Sequence, residues 1–132
     1  MWAGPDRALF IYWPHKDMGD SPVGLASIRI PDNKVIVHCS DHRYWHPTGS
    51  PDQRYAVADT MDGEIYWIDL VLSQDKLLVK WDRTDGMQAH SHPSVSPDGK
   101  RVLFVSEQFG NSDLMTVEIP PWEKIPSTQP ME

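Results

Sequence analysis

Six histidines occur in the chain of 132 residues, and three of them stand where imidazoles could act together. His90 and His92 are two apart. In an extended segment, side chains at i and i+2 share one face, so both rings would point the same way. Gln88 lies a further two residues upstream and would join them. His46 and His92 are each followed by proline, and each His-Pro pair stands four residues ahead of a Ser-Pro-Asp. The two histidines therefore hold one position in a repeated pattern. Imidazoles with an amide oxygen form a mixed nitrogen and oxygen set suited to a divalent first-row metal such as manganese, iron or zinc. Taken singly, a His-Pro before a strand reads as turn structure with the imidazole bonded to a carbonyl. Taken together, at matched positions, His46, Gln88, His90 and His92 are candidate metal ligands. His15, His38 and His42 have no counterpart in the repeat and are expected to be structural or exposed. Cys39 is the one cysteine, so no intrachain disulfide framework exists, and it reads as a packed small residue. The tryptophans read as packing residues rather than a sugar platform. Trp45, adjacent to His46, is the one to watch.

The elements that must position these residues follow from the repeat. Gly4-Pro5-Asp6 recurs as Ser50-Pro51-Asp52 and as Ser96-Pro97-Asp98, 46 residues apart both times. Pro presets φ and Asp bonds back to the backbone, so each copy is turn chemistry. Each copy leads into short β-branched and aromatic runs bounded by Gly, Pro, Asp and Asn, which predict strands over 8–12, 25–30, 34–37, 55–58, 65–70, 76–81, 101–105 and 114–119. No stretch sustains a helical apolar period. Units of this length with about four strands each predict an all-β chain, a partial β-propeller of about three four-stranded antiparallel blades. The blades are placed at about 1–37, 38–82 and 83–119, with a loosely ordered tail at 121–132. An open antiparallel sandwich is the alternative, and the regular spacing argues against it. In a propeller the first strand of each blade lies nearest the central channel, which would bring His46 and His92 together near the axis. The His-Pro of the first unit would fall ahead of residue 1, so Met1 reads as an internal methionine or a truncated start.

Composition narrows the partners. Acidic residues number 19 against 12 basic, a formal net charge of -7. That balance argues against a general binder of nucleic acid backbones. An anionic small substrate stays open, because a metal or a few local cations can hold an anion on an acidic protein. The N-terminal residues lack the basic and apolar regions of a signal peptide, and no run reaches transmembrane length. A cytoplasmic setting with no membrane partner is the expectation.

The stretch Trp45-His46-Pro47-Thr48-Gly49-Ser50-Pro51-Asp52, followed by Gln88-Ala89-His90-Ser91-His92-Pro93-Ser94-Val95-Ser96-Pro97-Asp98-Gly99-Lys100-Arg101-Val102-Leu103-Phe104, resembles the C-terminal part of the oligogalacturonate lyases. These enzymes belong with the TolB-like and WD40-like propellers. Ser-Pro-Asp-Gly-Lys marks such repeats in general, whereas His-x-His-Pro with an upstream His is more specific. The resemblance runs from about Trp2 to Trp122 and would cover the last three blades of a seven-bladed ring. It implies β-elimination of pectic oligogalacturonides with a 4,5-unsaturated product. It also implies a manganese-type ion held on the axis by three histidines and a glutamine. His46 matches the first histidine, His90 and His92 the pair, and Gln88 is the candidate glutamine. Here the sequence departs from the family pattern, whose glutamine lies three residues before the pair rather than two. A cation on the uronate carboxylate would stabilise the enolate-like charge that develops as the C5 proton leaves. The family base is an arginine from an earlier blade. No position here matches it, and Arg43 has only nearness to His46 in its favour, so no base is assigned.

Two other functions compete with a lyase-like protein. One is a non-catalytic TolB-like or WD40-like interaction module. The other is a propeller segment of a serine peptidase, for which no Gly-x-Ser-x-Gly elbow is present. A metal half without a base predicts little or no lyase activity for the chain alone. Repeat arrays need their neighbours. The open edge therefore leaves two outcomes, self-association or order only within a longer product.

Overall fold

In the computed structural model, residues 1–13, 24–81 and 90–127 are described. His15 and Gln88 lie outside them. Among the described residues ten strands follow in chain order: β1 (Arg7–Tyr12), β2 (Gly24–Arg29), β3 (Lys34–Cys39), β4 (Tyr44–Gly49), β5 (Tyr55–Thr60), β6 (Glu64–Asp69), β7 (Gln74–Lys80), β8 (Ser94–Val95), β9 (Arg101–Ser106) and β10 (Asp113–Glu118). They form three antiparallel sheets, ordered β1-β2-β3, β4-β5-β6-β7 and β8-β9-β10. The second has the expected four strands; the first and third have three among the described residues. In the first sheet a single bridge, Trp2 to Ala8, stands where β4 stands in the second. Among the described residues no helix is long and apolar enough to cross a membrane.

The two central strands of the middle sheet, β5 and β6, are buried on both faces, which is why 56–58 and 65–68 read as continuous apolar runs. Successive side chains alternate across a strand. Ala56 and Ala58 of β5, with Tyr66 and Ile68 of β6, pack toward Leu9, Leu25, Cys39 and Tyr44. Val57, Ile65 and Trp67 point the other way, onto Trp81, Val102, Phe104 and Ile125. Two apolar layers therefore fix the three sheets in a row. His38 adds a polar tie to the first layer. Its Nδ1 donates to the Leu70 carbonyl at 2.9 Å, and its Nε2 accepts from the Ser27 hydroxyl at 2.7 Å. Burial, opposed by the Leu70 bond, holds this imidazole below its ordinary pKa.

The repeat is visible bond for bond in two of its three copies. Ser50 Oγ donates to Asp52 Oδ1 (2.5 Å) and accepts from Tyr55 N (3.0 Å); Ser96 Oγ donates to Asp98 Oδ1 (2.6 Å) and accepts from Arg101 N (3.0 Å). The Asp oxygens then accept from Arg54 N and Lys100 N, both at 3.1 Å. Gln53 and Gly99, at the same turn position, both have positive φ, 62° and 71°. The first copy differs. Ala3 N bonds Arg7 O, four residues on, where Ser50 N bonds Tyr55 O and Ser96 N bonds Arg101 O, five on. The first turn is thus one residue shorter, and Ala3 rather than Gly4 stands in the serine's place.

Two expectations need correction. The start of the supposed loose tail is anchored: Trp122–Lys124 forms a 3-10 turn, Ile125 is buried, and Lys76 Nζ donates to the Trp122 and Ile125 carbonyls at 2.8 and 2.9 Å. An apolar socket and a cation over the Trp122 ring (4.9 Å) hold this segment although it is rich in proline. Nor are all the tryptophans packed. Trp67 and Trp81 are buried, but Trp2 and Trp13 are exposed.

Candidate metal centre

The site begins with an irregularity in β4. Tyr44 pairs with Thr60 and Pro47 with Ala58, so β4 spans three residues where β5 spans two. Such a bulge re-aims the side chains it carries, and here they are Trp45 and His46. Pro47 is tolerated because β4 is the edge of its sheet.

Below the bulge stands Asp59, whose side chain is 1% exposed. Its Oδ1 accepts from His46 N at 2.7 Å, and both its oxygens lie 3.0–3.1 Å from His46 Nδ1. Its Oδ2 also accepts from His92 N at 3.1 Å. One buried carboxylate thus binds two inner segments of neighbouring sheets. A carboxylate accepts, so Nδ1 of His46 is the protonated nitrogen and Nε2 keeps its lone pair for a ligand. A carboxylate behind an imidazole is the support that metal-binding histidines commonly use.

His90 and His92 reach the same place by a route other than the expected extended strand. Residues 90–93 precede β8, and His92 has φ +42°, in the left-handed region. Such a residue persists where its surroundings over-determine it. Around it, Trp81 Nε1 donates to Ser91 Oγ (3.1 Å), Val105 N to the Ser91 carbonyl (2.8 Å) and Thr48 Oγ1 to the Pro93 carbonyl (2.8 Å). The rings of His46 and His92 lie 3.7 Å apart between centroids, those of His46 and His90 5.5 Å, and those of His90 and His92 6.0 Å. Trp45 closes one side, edge-on to His90 at 5.2 Å.

One nitrogen from each of the three rings lies within 4.8 Å of the others. Nitrogens bound tetrahedrally about 2 Å from one ion are about 3.3 Å apart, so closure of up to about 1.5 Å would seat one. Three imidazoles, one of them backed by a carboxylate, are a donor set that fits a divalent first-row ion.

Beside Trp45 a cleft of about 770 Å³ opens, walled by Trp13, Trp45 and Arg43. Trp13 meets Trp45 edge to face, 5.5 Å between centroids. Asp41, Asp62 and Glu64 also line it, with Lys80, whose ammonium is 2.9 Å from Glu64. Cys39 is buried, and burial pushes its thiol up to about 11.

Asp59 is the residue that sequence reasoning missed. A signal existed: its repeat counterpart, 46 residues on, is Val105, so the carboxylate interrupts a position that is apolar in the next unit.

No family model matches the sequence, and no curated protein sequence matches it. Solved structures do. TolB from Acinetobacter baumannii aligns with TM-score 0.67 at 18% identity, over 86% of this chain and 28% of that one. This is a TolB-like, propeller-type fold. The tricorn protease aligns at 0.65 and 12% identity, over 89% of this chain and 11% of that one. An oligogalacturonate lyase in complex with manganese aligns at 0.65 and 18% identity, over 91% of this chain and 37% of that one. At such identities the likeness is one of fold, and the chain spans 37% or less of each of these structures. The three sheets of the chain correspond to a segment of such a propeller, and the histidines lie on the first strand of the second sheet and just ahead of the first strand of the third.

Proposed function

We propose that the chain is the metal-holding part of an oligogalacturonate-lyase-like propeller, acting in β-elimination on acidic pectic oligosaccharides. The observation that carries this reading is the convergence of His46, His90 and His92 on one point. The fold likeness to a manganese-bound oligogalacturonate lyase supports it. The three histidines, with Gln88 as fourth candidate, would hold a manganese-type ion that neutralises a uronate carboxylate and so acidifies the adjacent C–H. The chain's own residues have simpler tasks. Asp59 fixes the tautomer and direction of His46 and the backbone of His92. Trp45 shields one side of the triad. The cleft next to it offers room for a sugar unit, with Trp13 and Trp45 as apolar walls. The proton-abstracting base is left unassigned, and Arg43, on the cleft wall, is not given that role. Self-association through an open edge and a cytoplasmic setting remain parts of the proposal.

A second reading, a non-catalytic interaction propeller, is favoured by one observation. Asp41, Asp62 and Glu64 face the cleft against Arg43 and Lys80, and Lys80 is engaged by Glu64. Three carboxylates repel a polyanion. Incubation with trigalacturonate and manganese, followed by the absorbance of unsaturated product, separates the readings when run beside metal analysis. The lyase-like reading expects bound manganese, lost in His90→Ala, with little turnover by this chain alone. Absence of bound metal in the wild type decides for the interaction module.

A further inference from the structure

A second set of ligand-type side chains meets where the first sheet joins the second, in residues separate from the histidine triad. Cys39 ends β3, Asp41 and His42 follow in the linker, and Asp75 stands in β7. One ligand atom each from Cys39, Asp41 and Asp75 lies within 4.8 Å of the others. Cys39 Sγ is 3.7 Å from Asp41 Oδ2, and His42 Nε2 is 3.2 Å from Asp75 Oδ2. The Tyr44 hydroxyl sits between the strands, 2.5 Å from Asp75 Oδ2 and 3.1 Å from Cys39 Sγ.

His42 supplies the independent indication. Its side chain is 7% exposed and stacks on Tyr66, 4.1 Å between centroids. Among the described residues its buried Nε2 has no hydrogen-bond partner, and Asp75 Oδ2, at 3.2 Å, lies at ion-pair distance only. Buried polar atoms are rarely left so. A cation beside Asp75 would satisfy the imidazole.

We propose that Cys39, Asp41, His42 and Asp75 bind a divalent cation of the zinc class, which staples the first sheet to the second. Cys39, Asp41 and Asp75 already stand as a group of three donors, and His42, beside Asp75, would close in as the fourth; one thiolate, one imidazole and two carboxylates are a borderline-soft set of the kind zinc takes tetrahedrally. With bonds of about 2.0–2.3 Å, neighbouring donors in a tetrahedron are about 3.3–3.7 Å apart. The separations of 3.7 and 3.2 Å are already close to that. The exposed Asp41 gives the ion a way in, since Asp41 and His42 both line the 770 Å³ cleft.

Cobalt(II) alone, titrated into the full chain, tests this. A bound thiolate gives sulfur-to-cobalt charge-transfer absorption that nitrogen and oxygen ligands do not. The band is expected to saturate at one equivalent, to be displaced by zinc, and to vanish in Cys39→Ser. Asp41→Asn alters an exposed side chain and leaves the packing intact. It should weaken binding about tenfold or more, since even outer-sphere partners of a metal are worth that much. The band should survive in the His90→Ala/His92→Ala double variant, which separates this site from the triad. Zinc should also raise the thermal midpoint of the wild type. No charge-transfer band in the wild type, or full-strength binding in Asp41→Asn, overturns the proposal. In that case the cluster is a hydrogen-bond network centred on Tyr44.

Discussion

In the second sheet the Ser-Pro-Asp turn ends β4 and launches β5; in the third the same turn, with the same bonds at lengths within 0.1 Å, ends β8 and launches β9. Beyond the turn the two sheets part. Position 59 is an aspartate and its counterpart 105 a valine; Asp69, opposite Tyr55, is buried, whereas its counterpart Glu118, opposite Arg101, is exposed. Asp59 and Asp69 are both buried and saturated. Asp59 holds His46 and His92. Asp69 accepts from Val71 N, Leu72 N and the Arg54 guanidinium. Repetition therefore supplies the scaffold, and departures from repetition supply the polar devices. The middle sheet can host them because it is covered on both faces, where a satisfied carboxylate is held rigidly.

The largest expected effect follows from position 59. Asp59→Ala strands the His46 and His92 N–H groups and His46 Nδ1, and should cost about 3 kcal/mol or more in urea unfolding. Val105→Ala, at the matching place, should cost about 1 kcal/mol. Similar values for the two would remove the distinction between the sheets.

A smaller effect should appear in acid. Burial works against the Asp69 carboxylate, but the Leu72 N–H, the Arg54 side chain and the Val71 N–H outweigh it and hold its pKa below the ordinary 3.8. A carboxylate whose folded pKa is depressed stabilises fully above its unfolded value and loses that contribution as pH falls through the folded value. Stability measured from pH 5 downward should therefore drop through the region below 3.8, and less steeply in Asp69→Asn. Equal slopes would show that Asp69 carries none of the acid sensitivity.

The smallest effects should have opposite signs at one turn position. Gln53 and Gly99 share a left-handed backbone. Gln53→Gly should stabilise by about 0.5–1 kcal/mol, because the non-glycine residue is strained there. Gly99→Ala should destabilise by about 1 kcal/mol through strain alone, as only Pro51 Cδ, at 3.9 Å, lies near the added methyl. Effects of one sign would mean that the two turns are not equivalent in energy.

Much of the fold was legible because strands and turns are local. The eight expected runs coincide with β1–β3, β5–β7, β9 and β10 to within about two residues at each end. β4 and β8 were harder to bound: Tyr44–Gly49 is polar and contains Pro47, and β8 is two residues long. The histidines could be singled out because periodicity places residues without any knowledge of packing. Asp59 could not be, since its role depends on a bulge and on the approach of the next sheet. The Cys39, Asp41, His42 and Asp75 cluster was hidden for the same reason, because β3 and β7 meet only when two sheets pack. The left-handed backbone of His92 also has no sequence signal beyond the histidine itself.

The most direct test is manganese(II) binding to the chain in a Cys39→Ser background, followed by calorimetry and by loss of the free-ion paramagnetic signal. One ion should bind, His92→Ala should abolish binding, and Asp59→Asn should weaken it by about 10- to 100-fold. Failure of the Cys39→Ser chain to bind manganese, or undiminished binding after His92→Ala, would contradict a metal centre built on His46, His90 and His92.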